Sequence, residues 1–114
     1  MTSHASLDTQ MLAELKDLLG DNFNELIDRY TSDSNHRFSL LKAAISSLDF
    51  KTIYYEAHGI KGSSRNMGAN KLAEICGQLE ALGHAQSSDG VTSLFQQAEL
   101  EFAAVEQLLA GYRL

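Results

Sequence analysis

The sequence predicts an all-α protein, an antiparallel up-down four-helix bundle with a short additional helix at the N-terminus. None of the 114 residues is proline, so the residue that most strongly disrupts helix interiors is absent. Hydrophobic residues make up 44% of the chain, and they recur at the spacing of one face of a helix. Short polar connections separate the long apolar stripes, as is typical of antiparallel helices that lie side by side in a bundle.

Length and composition narrow the class of protein further. A chain of 114 residues is expected to form one domain around a single core, with residues 1–6 as a disordered tail. The formal net charge of −6 argues against nucleic acid as a partner, because a phosphate backbone requires a basic face. The single cysteine, Cys76, excludes an intramolecular disulfide and fits a reducing compartment. We find no membrane span and no signal peptide, and therefore expect a cytoplasmic protein.

Capping residues set the expected boundaries of the first two helices. The first helix is expected from Asp8 to Leu19, with Gly20 as its C-terminal stop. The second helix is expected from Asn22 to Leu48, and Asp21 stands at its N-cap position with a side chain that favours capping.

Three further helices follow. Asp49 is expected to cap a helix that ends near Met67, where Gly68 supplies a left-handed stop. The fourth helix is capped by Asn70 and extends to about residue 85, and a polar turn leads into the last helix, Val91–Tyr112. The positions that these stripes predict to be buried are Leu7, Met11, Leu12, Leu15, Leu18, Leu19; Leu26, Ile27, Tyr30, Phe38, Leu41, Ile45, Leu48; Phe50, Ile53, Ala57, Ile60, Ser64; Leu72, Ile75, Cys76, Leu79, Leu82; and Leu94, Phe95, Ala98, Phe102, Val105, Leu108, Leu109.

His58 is predicted to lie on the exposed face of the third helix. A helix advances about 100° per residue, which places His58 well over a right angle from the middle of that helix's apolar sector. The residues that share its face are Lys51, Tyr55, Lys61, Gly62 and Arg65. We therefore expect an outward imidazole among three cations, beside a position without a side chain.

Two glycines interrupt this helix. Gly59 and Gly62 each cost roughly 1 kcal/mol relative to alanine in a helix interior, and such breaks in local consistency tend to mark functional sites. On the exposed face, Gly62 is expected to leave room for a large partner to approach His58.

The residues around His58 resemble a known family. Ala57-His58-x-x-Lys61-Gly62-Ser63-Ser64, followed by Asn66-Met67-Gly68-Ala69, Leu72, Cys76 and Leu79-Glu80, is similar to the histidine phosphotransfer (HPt) domain. The resemblance keeps one unbroken register from residue 57 to residue 80. It departs from the family at Gly59, where a helix-compatible residue such as threonine is more common.

The resemblance implies a phosphocarrier of a two-component phosphorelay. His58 would accept a phosphoryl group through Nε2 from a receiver-domain aspartate and pass it to another receiver aspartate. From the residues alone, the reacting nitrogen stays open. An imidazole is largely neutral at neutral pH, and neighbouring cations favour that form, so one ring nitrogen is free to act as the nucleophile.

The same resemblance implies partners and roles. The partners would be the receiver domains of response regulators and of a hybrid sensor histidine kinase, which would also hold any Mg²⁺, and the chain would act as a monomer. It would be a carrier and not an enzyme, because it has no ATP-binding motif. It would need no cofactor of its own. Lys61 would stabilise the transferring group electrostatically, while Gly62, Arg65, Tyr55 and Lys51 would form the receiver docking face.

Other interpretations remain open at this point. A helical interaction module could bind a signalling partner without phosphotransfer, although such a module would have no need of His58. A metal site is disfavoured because no two histidines have the spacing of a helical ligand pair. The P-loop signature is also absent. The compact length and the Met1 start favour a free-standing protein, with a domain excised from a hybrid kinase as the alternative.

Overall fold

The computed structural model describes residues 6–113, which form five helices and no strand. The helices are α1 (Thr9–Leu19), α2 (Asn22–Ser47), α3 (Phe50–Asn66), α4 (Asn70–Ala85) and α5 (Val91–Ala110). The predicted all-α class and bundle are confirmed, with α1 as the short additional helix. The predicted tail lies outside the described residues except for Ser6, which is buried.

Side-chain pairs across the helices reveal their antiparallel arrangement. Between α2 and α3, Tyr30 contacts Ser64 and Arg37 contacts Glu56, so residue numbers fall on one helix as they rise on the other. The same holds between α3 and α4 and between α2 and α5. Consequently the outer surface of α3 lies between α2 on one side and α4 on the other. None of the helices within residues 6–113 is long and apolar enough to cross a membrane.

Of the three predicted N-caps, Asp21 and Asp49 hold their predicted positions and Asn70 does not. Asp49 accepts a hydrogen bond from the Thr52 backbone N–H at 3.2 Å, which begins α3 as expected. Asp21 occupies the N-cap position of α2 but makes no side-chain cap, because its backbone is already helical. Asn70 is the first residue inside α4, since fully buried Ala69 takes the N-cap position. The cap predicted at Asn70 was therefore wrong, whereas Asp21 takes its predicted N-cap position without a side-chain hydrogen bond.

The corner between α3 and α4 is tied to the N-terminal segment. Gly68 has a φ of 74°, which confirms the predicted left-handed stop. Its carbonyl accepts a hydrogen bond from the Asp8 backbone N–H at 2.8 Å. A Cβ at Gly68 would stand only 3.2 Å from the Asp8 Cβ, so both the backbone angle and the space favour glycine.

Most of the predicted core is buried, with two clear exceptions. The ring of Phe38 stacks on that of Phe102 at 5.1 Å between centroids, and the Tyr30 hydroxyl shares a 2.8 Å hydrogen bond with Ser64 in the interior. Leu18 is 80% exposed and Leu48 is 49% exposed, so both assignments to the core were wrong. Leu48 is the left-handed C-cap of α2, with φ 54°, and this turn directs its side chain away from the stripe.

Glycine at position 83 brings α4 very close to α3. A Cβ there would lie 2.7 Å from the Tyr54 backbone nitrogen and 3.0 Å from the Phe50 carbonyl oxygen. Because backbone atoms cannot yield as a flexible side chain can, this contact fixes how closely the two helices pack.

We expect Gly83→Ala to lower the free energy of unfolding by about 1–3 kcal/mol. The overlap with the α3 backbone should outweigh the gain of roughly 1 kcal/mol in helix propensity. Thermal and denaturant unfolding would measure the change. Stability equal to or above that of the wild type would contradict the close approach of the two helices.

Candidate functional site

The imidazole of His58 projects from the middle of α3 toward solvent, as predicted. Its side chain is 59% exposed, while its neighbour Ala57 is fully buried on the opposite face. The Nδ1 atom lies 2.9 Å from Oε2 of Glu80 on α4. One ring nitrogen is thus engaged by the protein, and the ring still faces outward.

Lys61 contacts the other oxygen of the same carboxylate. Its Nζ lies 2.5 Å from Oε1 of Glu80. Its aliphatic stem runs over Gly77 of α4, where a Cβ would stand 3.5 Å from the Lys61 Cδ. The Lys61 side chain is only 21% exposed, so it is not the freely solvated cation that the helical wheel predicted. Glu80 therefore joins His58 and Lys61, one turn apart on α3, in a single network.

The Glu80 side chain carries a negative charge at neutral pH. Burial raises the pKa of its carboxyl group, but hydrogen bonds and charge attraction from Lys61 and His58 act in the opposite direction and leave the pKa below its usual value. The group is consequently an ionised carboxylate at neutral pH, which can only accept hydrogen bonds. Its partner at His58 must then be an Nδ1–H donor, and Nε2 is the nitrogen that Glu80 leaves free.

An aromatic ring flanks the imidazole. The Tyr54 ring lies nearly parallel to that of His58, with 6.0 Å between centroids and 12° between planes. The Tyr54 ring also approaches the His84 ring of α4, with 6.1 Å between centroids. Together with the Glu80 hydrogen bond, this neighbour limits the orientations open to the imidazole.

The other predicted site residues form a wider surface and do not touch the imidazole. Tyr55 and Gly62 are exposed on the outer face of α3, and no atom lies within 4 Å of the place where a Gly62 Cβ would be. Lys51 and Arg65 are exposed, and within residues 6–113 neither forms an ion pair. Of the three predicted cations, Lys61 is the one that joins the His58 network, and the charged group in contact with the imidazole is the Glu80 carboxylate.

Gly59 has a structural role that the sequence did not reveal. A Cβ at this position would overlap the guanidinium of Arg37 on α2. That guanidinium bridges Asp33 at 3.0 Å and Glu56 at 3.1 Å, and the hydrogen bond that Arg37 donates to the Asp33 carboxylate is the main cause that raises the Arg37 pKa. Gly59 thus admits a charged link between α2 and α3, on the flank of α3 that faces away from Glu80.

Glu80 is the site residue that reasoning from the sequence missed. Leu79-Glu80 belonged to the recognised motif, but no role was attached to the carboxylate. Within the described part of the chain, no cluster of three or more potential metal ligands occurs. The arrangement is one of an exposed imidazole, a carboxylate in hydrogen-bond contact with its Nδ1 atom and a lysine that pairs with the same carboxylate.

Comparisons with known proteins point to one family. The Hpt domain family matches residues 25–110. "Histidine-containing phosphotransfer protein 4" of Arabidopsis thaliana is 31% identical over 104 residues, which cover 89% of this chain and 82% of that protein. "Histidine-containing phosphotransfer protein 2" of the same plant is 26% identical over 110 residues, covering 90% and 70% respectively.

Two solved structures of histidine-containing phosphotransfer proteins are also similar to this chain. The crystal structure of histidine-containing phosphotransfer protein B from Pseudomonas aeruginosa PAO1 superimposes with a TM-score of 0.93 and 35% identity, over 97% of this chain and 96% of that chain. A maize histidine-containing phosphotransfer protein, ZmHP2, shares the fold with a TM-score of 0.82 at 23% identity, over 95% and 89%.

Membership of this family defines the activity in general terms. The family lacks a kinase or ATP-binding domain and has no cofactor, which agrees with the prediction of a carrier that is not an enzyme. Its partners are components of a phosphorelay, such as receiver domains. The chain belongs to the Hpt domain family and is a histidine-containing phosphotransfer protein of a phosphorelay.

Proposed function

We propose that His58 is the phosphoacceptor and that its Nε2 atom carries the phosphoryl group between aspartates of two receiver domains. The observation that carries this proposal is the 2.9 Å contact between Nδ1 and Glu80. It occupies one nitrogen as a hydrogen-bond donor and leaves the lone pair of Nε2 available on an exposed ring. Imidazole nitrogens are effective nucleophiles in such covalent transfers.

The chemistry needs little beyond orientation and charge. The lone pair of Nε2 forms a bond to phosphorus while the bond between phosphorus and the aspartyl oxygen breaks. The electron pair of that bond leaves with the receiver carboxylate, and the ring keeps its Nδ1 proton. The second transfer runs these events in reverse toward another receiver aspartate. Lys61 lies one turn from His58 and would favour the negative charge of the transferring group.

The outer face of α3 would dock the receiver. Tyr55, Gly62, Lys51 and Arg65 are exposed around His58, and the open space over Gly62 allows a bulky partner to bring its aspartyl phosphate to the ring. Beside this face, a groove of about 850 Å³ runs between α2 and the C-terminal part of α3. Residues of α2 on that side would complete the docking surface.

This surface and the family support a proposal for the partners. The donor and the acceptor would be receiver domains of a hybrid sensor histidine kinase and of response regulators, and Mg²⁺ would be held by the receiver. We further propose that the carrier works as a monomer in the cytoplasm. A core enclosed within a single chain supports the monomer.

Transfer of label tests the proposal. Receiver domains labelled on aspartate, with free phosphodonor removed, would be mixed with the purified protein in Mg²⁺. We expect label to appear on the chain in an acid-labile, alkali-stable form, as a phosphoramidate requires, and then to move to a second unlabelled receiver. If every receiver that binds the chain retains its label, the chain is a binding module without phosphotransfer.

Lys61 provides a prediction for rate. In Lys61→Met the stem over Gly77 is kept and the charge is lost. We expect transfer to slow about tenfold, equivalent to roughly 1.4 kcal/mol in the barrier, with a loss of stability of only about 1 kcal/mol for a partly exposed ion pair. Rapid-quench kinetics and thermal melting on the same samples would separate the two effects. Wild-type rates in this variant would remove Lys61 from the mechanism.

A further inference from the structure

We infer that Glu80 is a positioning residue that holds the proton on Nδ1 of His58 after Nε2 is phosphorylated, and so keeps the phosphohistidine competent for onward transfer. This inference rests on the proposed role of His58. It assigns to a residue of α4 a role in the second half of the relay, when the phosphoryl group must leave the carrier.

The leaving group explains why this proton matters. When Nε2 bonds to phosphorus and Nδ1 keeps its proton, the ring carries a positive charge. When the bond between phosphorus and Nε2 later breaks, the electron pair returns to Nε2 and a neutral imidazole departs. If the Nδ1 proton had been lost, the ring would have to depart as an imidazolate anion, which is a far poorer leaving group. A carboxylate beside Nδ1 favours the cationic ring.

The geometry of Glu80 suits it to this task. Its Oε2 lies 2.9 Å from Nδ1, and its side chain is only 14% exposed, so water competes weakly for the hydrogen bond. Lys61 holds the other oxygen at 2.5 Å and keeps the carboxylate ionised and fixed in place. Glu80 can therefore keep its hydrogen bond to Nδ1 both before and after Nε2 is phosphorylated, and this requires no movement of its side chain.

The other charged groups near the ring do not offer this interaction. From α3 the ring is flanked by Tyr54, and His84 of α4 approaches that same tyrosine. The neighbouring helix α2 contributes Arg37, whose charge is engaged by Asp33 and Glu56. Among residues 6–113, Glu80 is thus the only carboxylate in contact with the imidazole.

The test compares Glu80→Gln with the wild type in the transfer from phosphorylated chain to an acceptor receiver, measured as a function of pH. Glutamine keeps an oxygen that can accept the Nδ1–H bond but removes the charge. We expect the decline of the transfer rate toward alkaline pH to begin about one pH unit lower in this variant, a tenfold loss at pH values above both midpoints. Glu74→Gln is the matched control, since it removes one exposed carboxylate from the same helix and should keep the wild-type profile.

Two additions keep the result interpretable. The double variant Glu80→Gln, Lys61→Met should show the same displaced midpoint, which separates the loss of the carboxylate from the release of Lys61. In the phosphorylated wild-type chain, ¹⁵N NMR should also detect loss of the Nδ1 proton at a higher pH when the chain is folded than when it is unfolded in urea. This second measurement needs no variant to fold.

The outcomes distinguish this inference from the function on which it rests. Equal midpoints in the wild type and in Glu80→Gln, or equal Nδ1 titration in the folded and unfolded chain, would overturn the role of Glu80 while label transfer itself persisted. A wild-type chain that takes no label would overturn both. A displaced midpoint in Glu80→Gln with an unchanged profile in Glu74→Gln supports the inference.

Discussion

His58→Gln is expected to abolish incorporation of phosphate from a phosphorylated receiver and to leave the helical content unchanged. The imidazole is largely exposed, and its hydrogen bond and its ring contact within residues 6–113 are with Glu80 and Tyr54 respectively. A glutamine amide can donate a hydrogen bond to the same carboxylate, so the local structure should persist. Acid-labile label and the circular dichroism spectrum would be measured on the same preparation.

His84→Gln is the control for this experiment. That histidine is also exposed, and its ring approaches Tyr54, the same tyrosine that flanks His58, so it tests whether any nearby imidazole can take the phosphoryl group. We expect it to be labelled like the wild type. Acid-labile label that survives in His58→Gln would reject the assignment of the phosphoacceptor.

Substitutions at Gly62 are expected to separate stability from docking. No atom lies within 4 Å of a Cβ at this position, so Gly62→Ala should gain up to about 1 kcal/mol from helix propensity, a rise of roughly 4 °C in melting temperature. Gly62→Gln should keep the fold but slow transfer strongly, because its side chain would occupy the space through which the receiver approaches His58. Melting temperature and transfer rate would be measured on both variants.

Gly83→Ala is the matched comparison for Gly62→Ala. The chemical change is identical, but position 83 faces the backbone of α3, so the change in stability should have the opposite sign. If Gly62→Ala is destabilising, the face of α3 at Gly62 is not open. If Gly62→Gln transfers as fast as the wild type, the receiver does not dock on this face.

The sequence predicted the features of this protein that depend on local periodicity. The apolar stripe of α3 placed Ala57 inside and His58 outside, because both positions follow from the pitch of one helix. Asp49 also could be recognised as a cap from its own segment. Leu18 and Leu48 were misassigned because each lies at the end of its stripe, where α1 ends at Leu19 and the left-handed turn at Leu48 ends α2.

Contacts between helices could not be predicted in the same way. Glu80 meets His58 only because α4 packs against α3 in a particular register, and that register depends on close contacts such as the one at Gly83. For the same reason, the sequence did not reveal that the Arg37 guanidinium lies over Gly59. Lys61 was expected to be solvated because a helical wheel shows directions on one helix and not the neighbour that partly covers them.

A single spectrum can locate the phosphoryl group. The chain, labelled with ¹⁵N at its histidines and phosphorylated by a receiver, would be examined by long-range ¹H–¹⁵N correlation NMR. We predict that the ring of His58 alone changes, with phosphorus bonded to Nε2 and a proton retained on Nδ1 beside Glu80. Phosphorylation at Nδ1 of His58, or at any other histidine, would contradict this account.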